Sequence, residues 1–177
     1  EGEFMQMEDV YRIDQGIERY MTKTQKKTAD FMEGCMELGG LLGDWQEDEI
    51  IELKKYGHAL GMAFQITDDI MDYRETAETT GKPVGNDLRE GLLTYPLLSI
   101  VNDGNKDKLL EDIKGLNNGG NEQDIIDYVV AQGGIDNTLA VADKYCKDAL
   151  AALAAVRDFP GKEFLVMAVE NLADRKV

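Results

Sequence analysis

Phe64-Gln65-Ile66-Thr67-Asp68-Asp69-Ile70-Met71-Asp72 is the stretch from which the rest of the chain is read. Its three carboxylates stand at i, i+1 and i+4 inside an apolar segment of helical period. At about 100° per residue they fall on one face, with Gln65 a turn earlier on the same arc. Like charges at i,i+4 destabilise a helix unless something neutralises them. Carboxylate oxygens grouped in this way suit a hard divalent cation, and Mg²⁺ usually takes one or two carboxylates together with substrate phosphates. A solvated acidic helix face is the other reading of the same triplet.

Composition narrows the classes around that stretch. At 177 residues the chain is long enough for one well-cored domain over residues 1–177, with no internal repeat, linker or domain boundary. The apolar fraction is 43% with no apolar run long enough to span a membrane. A net charge of −16 argues against nucleic acid and against anionic lipid. It also opposes a diphosphate at long range, so local lysines and metal would have to reverse the field. Cys35 and Cys146 lie far apart in helix-like sequence and are read as buried free thiols, which points to the cytoplasm. The chain opens without an initiator Met, so Glu1 is read as an internal start.

Three prolines and little β-branched alternation predict an all-α chain. Residues 1–11 read as the end of a helix. Ile17, Met21, Thr24, Thr28, Phe31, Cys35, Leu38 and Leu42 recur at 3–4 spacing, predicting one long helix with a single buried seam, closed at Gly43. Asp44 is the expected cap of a helix over 46–73, with Glu47, Asp48 and Glu49 favouring its dipole. Residues 74–87 read as an irregular loop, and a helix over 88–102 is expected to kink at Pro96. Shorter helices fit 106–116 and 122–132, a long one is marked by Leu139 to Val156, and a last one covers 162–174.

Beyond the aspartates, Gly81-Lys82-Pro83 and Gly85-Asn86-Asp87-Leu88 follow downstream, and then Thr94-x-Pro96. Gly2-Glu3 and Lys27-Thr28 precede them. In this order the motifs resemble the trans-isoprenyl diphosphate synthases, also called polyprenyl synthetases, with Asp68–Asp72 as the family's second aspartate-rich motif. The resemblance covers at least residues 2 to 100. It implies an all-α bundle of the isoprenoid synthase type, here the C-terminal part with the N-terminal helices missing.

The resemblance also implies an activity: head-to-tail condensation of isopentenyl diphosphate onto an allylic diphosphate, with Mg²⁺ as cofactor. Asp68, Asp69 and Asp72 would then be metal ligands. Lys27, Thr28, Gln65 and Lys82 would be the catalytic and substrate-binding residues. Lys27 and Lys82 would bind the diphosphate, while Thr28 and Gln65 lie near the developing cation. From the residues alone, Thr28 could equally bond its own i−4 carbonyl and Gln65 could be a satisfied buried amide. A solvated loop lysine is the alternative for Lys82, against which the Gly81-Lys82 pairing weighs.

Other positions carry less. Gly61 leaves room for a prenyl chain or for helix packing, and His58 reads as structural. Glu3 and Gln6 are candidate pocket residues, and Arg89 a candidate phosphate contact. Asp87 is either a helix cap or a partner at the metal's edge. One departure is Leu92, where many members carry a lysine. A larger one is that the first aspartate-rich motif and most isopentenyl-binding residues are not in this sequence. The expected partners are therefore an N-terminal segment of the same enzyme and a second copy in a homodimer, with no nucleic acid and no transmembrane segment. A non-catalytic helical subunit and a terpene-cyclase relative are the competing readings; Lys27-Thr28 and Gly81-Lys82 argue against the second.

Overall fold

A computed structural model describes residues 1–74 and 85–174. Among these, every regular element is helical. The helices are α1 (Gly2–Glu8), α2 (Gly16–Thr24), α3 (Asp30–Leu42), α4 (Glu47–Arg74), α5 (Asn86–Glu90), α6 (Tyr95–Leu98), α7 (Lys106–Gly115), α8 (Glu122–Ala131), α9 (Gly134–Ala154) and α10 (Lys162–Asp174). None is long and apolar enough, among the described residues, to cross a membrane. The chain divides into two compact units: 3–23 with 68–139, and 24–67 with 140 onward.

The second unit is built on the first part of α4, with α9 and α10. Leu53, Tyr56, Ala59 and Ala63 pack with Cys146, Ala149, Leu153, Val156, Val169 and Leu172 in one buried cluster. These positions recur at three and four residues along each helix, which places them on one stripe. Tyr56 is buried as well, and its hydroxyl donates to the Leu165 carbonyl at 2.8 Å. Small residues let α4 approach the 25–42 segment closely. A Cβ on Gly61 would lie 2.6 Å from Ala29 Cα, so helix packing is the reason for that glycine.

α2 and α3 join into one helix over 16–42, as expected, but through a π turn at Gln25–Ala29, closed by Asp30 N–H donating to the Gln25 carbonyl. A π turn inserts one extra residue and rotates everything beyond it relative to an ideal α-helix. The buried register therefore passes from Tyr20, Lys23 and Thr24 to Ala29, partly buried Met32 and Met36, and Gly40. The seam expected through Phe31, Cys35, Leu38 and Leu42 faces outward: Phe31 is 75% and Leu42 78% exposed. Cys35 is exposed with it, and only Cys146 is a buried thiol.

Two boundary readings are corrected as well. Asp44 adopts a left-handed φ of 52° in the turn rather than capping α4. Gln46 N–H instead donates to Glu49 Oε2 at 3.4 Å, one half of a capping box. Pro96 does not kink a helix over 88–102. It stands in the first turn of α6, where a proline is tolerated because that N–H would have no helical partner.

In the first unit, Ile13, Tyr20, Ile70, Leu88, Leu93, Leu97, Ile113, Ile126 and Val129 are buried. The segment after α1 is tied to the end of α5: Tyr11 N–H donates to the Gly91 carbonyl at 2.8 Å. Gly91 has φ 75°, and a Cβ there would sit 2.7 Å from the Tyr11 ring, so the position requires glycine twice over. Asp9, 1% exposed, is held by Arg19 Nε at 3.0 Å and Arg12 Nη1 at 3.3 Å.

Candidate active site

The C-terminal turns of α4 carry the three aspartates, and the structure gives each a different environment. Asp68 is exposed. Asp69 is buried at 4% exposure, and its Oδ2 accepts the Tyr20 hydroxyl at 2.6 Å. Asp72 is half-buried and accepts two backbone N–H groups at the start of α5, from Asn86 at 3.1 Å and Asp87 at 3.2 Å. The face is thus not a solvated acidic stripe, because only one of its three carboxylates stands in water.

Asp87 joins them as a fourth carboxylate. Burial first, and then the charges of Asp72, Asp69, Asp68 and Glu90, push its carboxyl up to about 7. Burial also raises Asp72, aided by Asp68 and Glu90, against the lowering pull of the Asp87 and Asn86 N–H groups. Crowding of negative charge of this kind is relieved by a cation. Among the described residues no set of three or more His, Cys, Asp or Glu is drawn together closely enough to hold a metal by protein ligands alone. A closed cage is not what Mg²⁺ requires: it keeps several waters and takes one or two carboxylates plus phosphate oxygens. An all-oxygen set in which Asp72 and Asp87 are held above the ordinary carboxylate range fits such an ion.

In the second unit, Lys27 and Thr28 lie within the π turn. Thr28 Oγ1 donates to Gln65 Oε1 at 3.0 Å, so the hydroxyl is directed at the amide rather than back at its own helix. Its proton committed, the Thr28 oxygen is a fixed dipole. The Lys27 backbone is pressed against Gly2, where a Cβ would fall 2.3 Å from Lys27 N, which explains why glycine precedes Glu3. His58 Nδ1 stands 3.6 Å from Glu33 Oε2. Lys82 lies outside the described residues.

Arg89, expected as a phosphate contact, is paired with Glu122 and lowers that carboxyl after Glu122's own backbone N–H. Two features escaped the sequence: the full weight of Asp87 in the acidic group, and Tyr20 behind Asp69. The first had a signal, since Asp87 follows Gly85 at a helix start. The second had none, because 49 residues separate Tyr20 from Asp69.

An all-helical chain with an aspartate-rich helix end of this kind defines a class, the prenyl synthase type of fold. The family described as polyprenyl synthetase matches residues 1–132, and the chain belongs to it. It is 34% identical over 170 residues to octaprenyl diphosphate synthase of Escherichia coli (strain K12), covering 94% of this chain and 52% of that one. It is 33% identical over 149 residues to heptaprenyl diphosphate synthase component 2 of Geobacillus stearothermophilus, covering 84% and 47%.

Solved structures agree. Heptaprenyl diphosphate synthase from Staphylococcus aureus superposes with a TM-score of 0.86 at 28% identity, over 99% of this chain and 56% of that one. Polyprenyl synthase from Caulobacter crescentus CB15, complexed with calcium and isoprenyl diphosphate, gives 0.86 at 28% identity over 99% and 55%. The chain spans about half the length of the relatives it matches.

Proposed function

We propose that this chain supplies the second acidic motif and part of the allylic-substrate site of a chain-elongating prenyltransferase in isoprenoid biosynthesis. The observation that carries this reading is the group of four carboxylates at the end of α4 and the start of α5, where burial first and then the neighbouring negative charges raise Asp87 to about 7. The family match supports an allylic diphosphate and isopentenyl diphosphate as the substrates.

Asp68, Asp69 and Asp72 would hold Mg²⁺, which when bound supplies Lewis-acid pull on the departing diphosphate. Asp72 does so while anchoring the first N–H groups of α5, which keeps Asp87 beside it. Lys27 and Lys82 bind diphosphate oxygens. Thr28, oriented by Gln65, turns a dipole rather than a nucleophile toward developing positive charge, and Gln65 shares that work. Dipoles of this strength stabilise a cation without trapping it.

Elongation also needs the first aspartate-rich motif and the isopentenyl site, which we place on an N-terminal segment of the same enzyme or on another subunit. The outward apolar stripe of α3, Phe31, Leu38 and Leu42, supports assembly with a second chain, a homodimer being the expected form. A free, exposed Cys35 fits a reducing compartment, the cytoplasm.

The test is Mg²⁺-dependent incorporation of labelled isopentenyl diphosphate. The chain alone is expected to give none, and the chain co-expressed with the complementary segment is expected to elongate. Asp68→Ala should cut that activity by at least 100-fold; full activity in the variant would remove the metal-ligand assignment. A second reading, a non-catalytic helical subunit, is favoured by the half-length match. It predicts complex formation with a prenyl synthase whose rate is indifferent to Asp68→Ala.

A further inference from the structure

Tyr20 is 1% exposed, in α2, and none of the motif residues is adjacent to it in sequence. A core position that needs only bulk is served by phenylalanine. A buried phenol must instead find an acceptor, or its unsatisfied donor costs about 1–3 kcal/mol. Tyr20 finds an ionisable one. Its hydroxyl reaches Asp69 Oδ2 at 2.6 Å, the short distance of a hydrogen bond to a charged acceptor.

The ring is fixed on two sides. Lys23, one turn along α2 and itself 6% exposed, places Nζ 5.5 Å from the ring centroid. Tyr95 meets the ring at 5.5 Å with planes at 69°. An ammonium against an aromatic ring draws on its electron density and makes the phenol a better donor. Three polar or ionisable side chains, Tyr20, Asp69 and Lys23, are thus buried around one bond, with Tyr95 partly buried beside them. Replacing such sets by apolar residues of similar volume is often neutral or stabilising, so stability alone gives little reason for this one.

We propose that Tyr20 is a positioning residue for the divalent-cation site: by holding Oδ2 of Asp69 it fixes the carboxylate's rotamer and makes Asp69 a one-oxygen ligand beside Asp68 and Asp72. This rests on the metal reading given above. Partners that hold a ligand in this way typically change metal affinity by about 10–100-fold when lost. Without the phenol, Oδ2 of Asp69 loses that anchor, and the geometry offered to the ion is less closely fixed.

The experiment uses Mn²⁺ with inorganic pyrophosphate as the probe, the pyrophosphate supplying the phosphate oxygens the ion requires and protein-bound Mn²⁺ being followed by electron paramagnetic resonance, on the full chain and its Y20F, D69N and Y20F/D69N variants. Y20F is expected to weaken Mn²⁺ binding by about 10-fold. The double variant should bind no more weakly than D69N alone, because Tyr20 acts through Asp69. Urea unfolding without metal supplies the contrast. A Y20F protein with a lowered midpoint and unchanged Mn²⁺ affinity makes Tyr20 a packing residue and overturns the proposal. Additive losses in the double variant overturn it too, by showing a route other than Asp69.

If Y20F does not fold, 3-fluorotyrosine at position 20 keeps ring and hydroxyl and alters donor strength. A changed affinity at an unchanged urea midpoint then supports the proposal, and an unchanged affinity opposes it. Absence of Mn²⁺ binding in the unaltered chain removes the metal reading itself and this proposal with it. Binding that Y20F leaves unchanged removes this proposal only.

Discussion

Asp9 and Asp87 are both carboxylates withdrawn from water within the same unit, yet their surroundings have opposite sign. Asp9 lies between two guanidinium groups, Arg19 bonding both of its oxygens and Arg12 one. The charges that weigh most on Asp87 are those of four other carboxylates. A buried charge neutralised in place is part of the architecture, and its energetic role ends there. A charge left among like charges raises the free energy of the folded chain until a cation arrives, which is how a binding site differs from a structural ion pair. Asp9 is the more deeply buried of the two, so burial would have picked the wrong one as the site.

Removing the carboxylate of Asp9 should give the largest loss of stability in either region. Asp9→Ala leaves Arg19 with Glu8 and Arg12 with Asp14, and these exposed partners together with the arginines' own partial exposure soften the penalty that a fully buried orphan charge would carry. Unfolding free energy in urea is expected to fall by about 2–3 kcal/mol. Mn²⁺ affinity should stay at its unaltered value. A change in affinity without a change in stability would break the division drawn here.

Asp87→Asn should act in the opposite direction. The folded-state carboxyl titrates near 7 and the unfolded one near 3.8, so between those values the folded chain binds more protons. Stability of the metal-free chain therefore falls as pH rises from about 4 to about 7. The asparagine variant escapes that fall. At pH 8 it should be more stable by about 1–2 kcal/mol, a figure discounted for partial exposure. Below pH 4 the gap should close. Mg²⁺ sharpens the contrast, because a bound cation favours the ionised form. Its thermal stabilisation of the unaltered chain should be greater at pH 8 than at pH 5, with proton release seen by calorimetry in buffers of different ionisation enthalpy.

Sequence periodicity carried the fold a long way. α4, α7, α8 and α10 lie within one or two residues of the expected spans, α4 because of its apolar stripe and the others because Asn/Gly clusters, Gly133-Gly134 and Pro160-Gly161 bound them. It failed where a local irregularity shifts the period. The π turn at Gln25–Ala29 adds a residue that no propensity announces, and beyond it the expected seam through Phe31 and Leu42 is the exposed face. Within the candidate site, the aspartates and Thr28–Gln65 were legible because ordered motifs mark them. Tyr20 on Asp69 and Arg19 on Asp9 were not, since each joins residues of ordinary type that no local pattern links. The pairing of Arg89 was not legible for the same reason: its partner Glu122 lies 33 residues away.

Asp72 stands between the two regions in character, and its substitution should have the smallest effect on stability. It belongs to the acidic group, but its two oxygens also accept the N–H groups of Asn86 and Asp87, as a structural cap would. Asp72→Asn removes the charge that burial and Asp68 oppose, which stabilises the metal-free chain. The amide retains one acceptor oxygen and sets its NH₂ against the other backbone donor, which costs about 1 kcal/mol. These terms oppose each other, so the net change in unfolding free energy at pH 7 should stay under about 1 kcal/mol. Mn²⁺ affinity should still drop, since a ligand oxygen and a charge have gone. A loss of stability near that expected for Asp9→Ala, with Mn²⁺ binding intact, would move Asp72 to the structural side and leave Asp68, Asp69 and Asp87 as the metal-facing set.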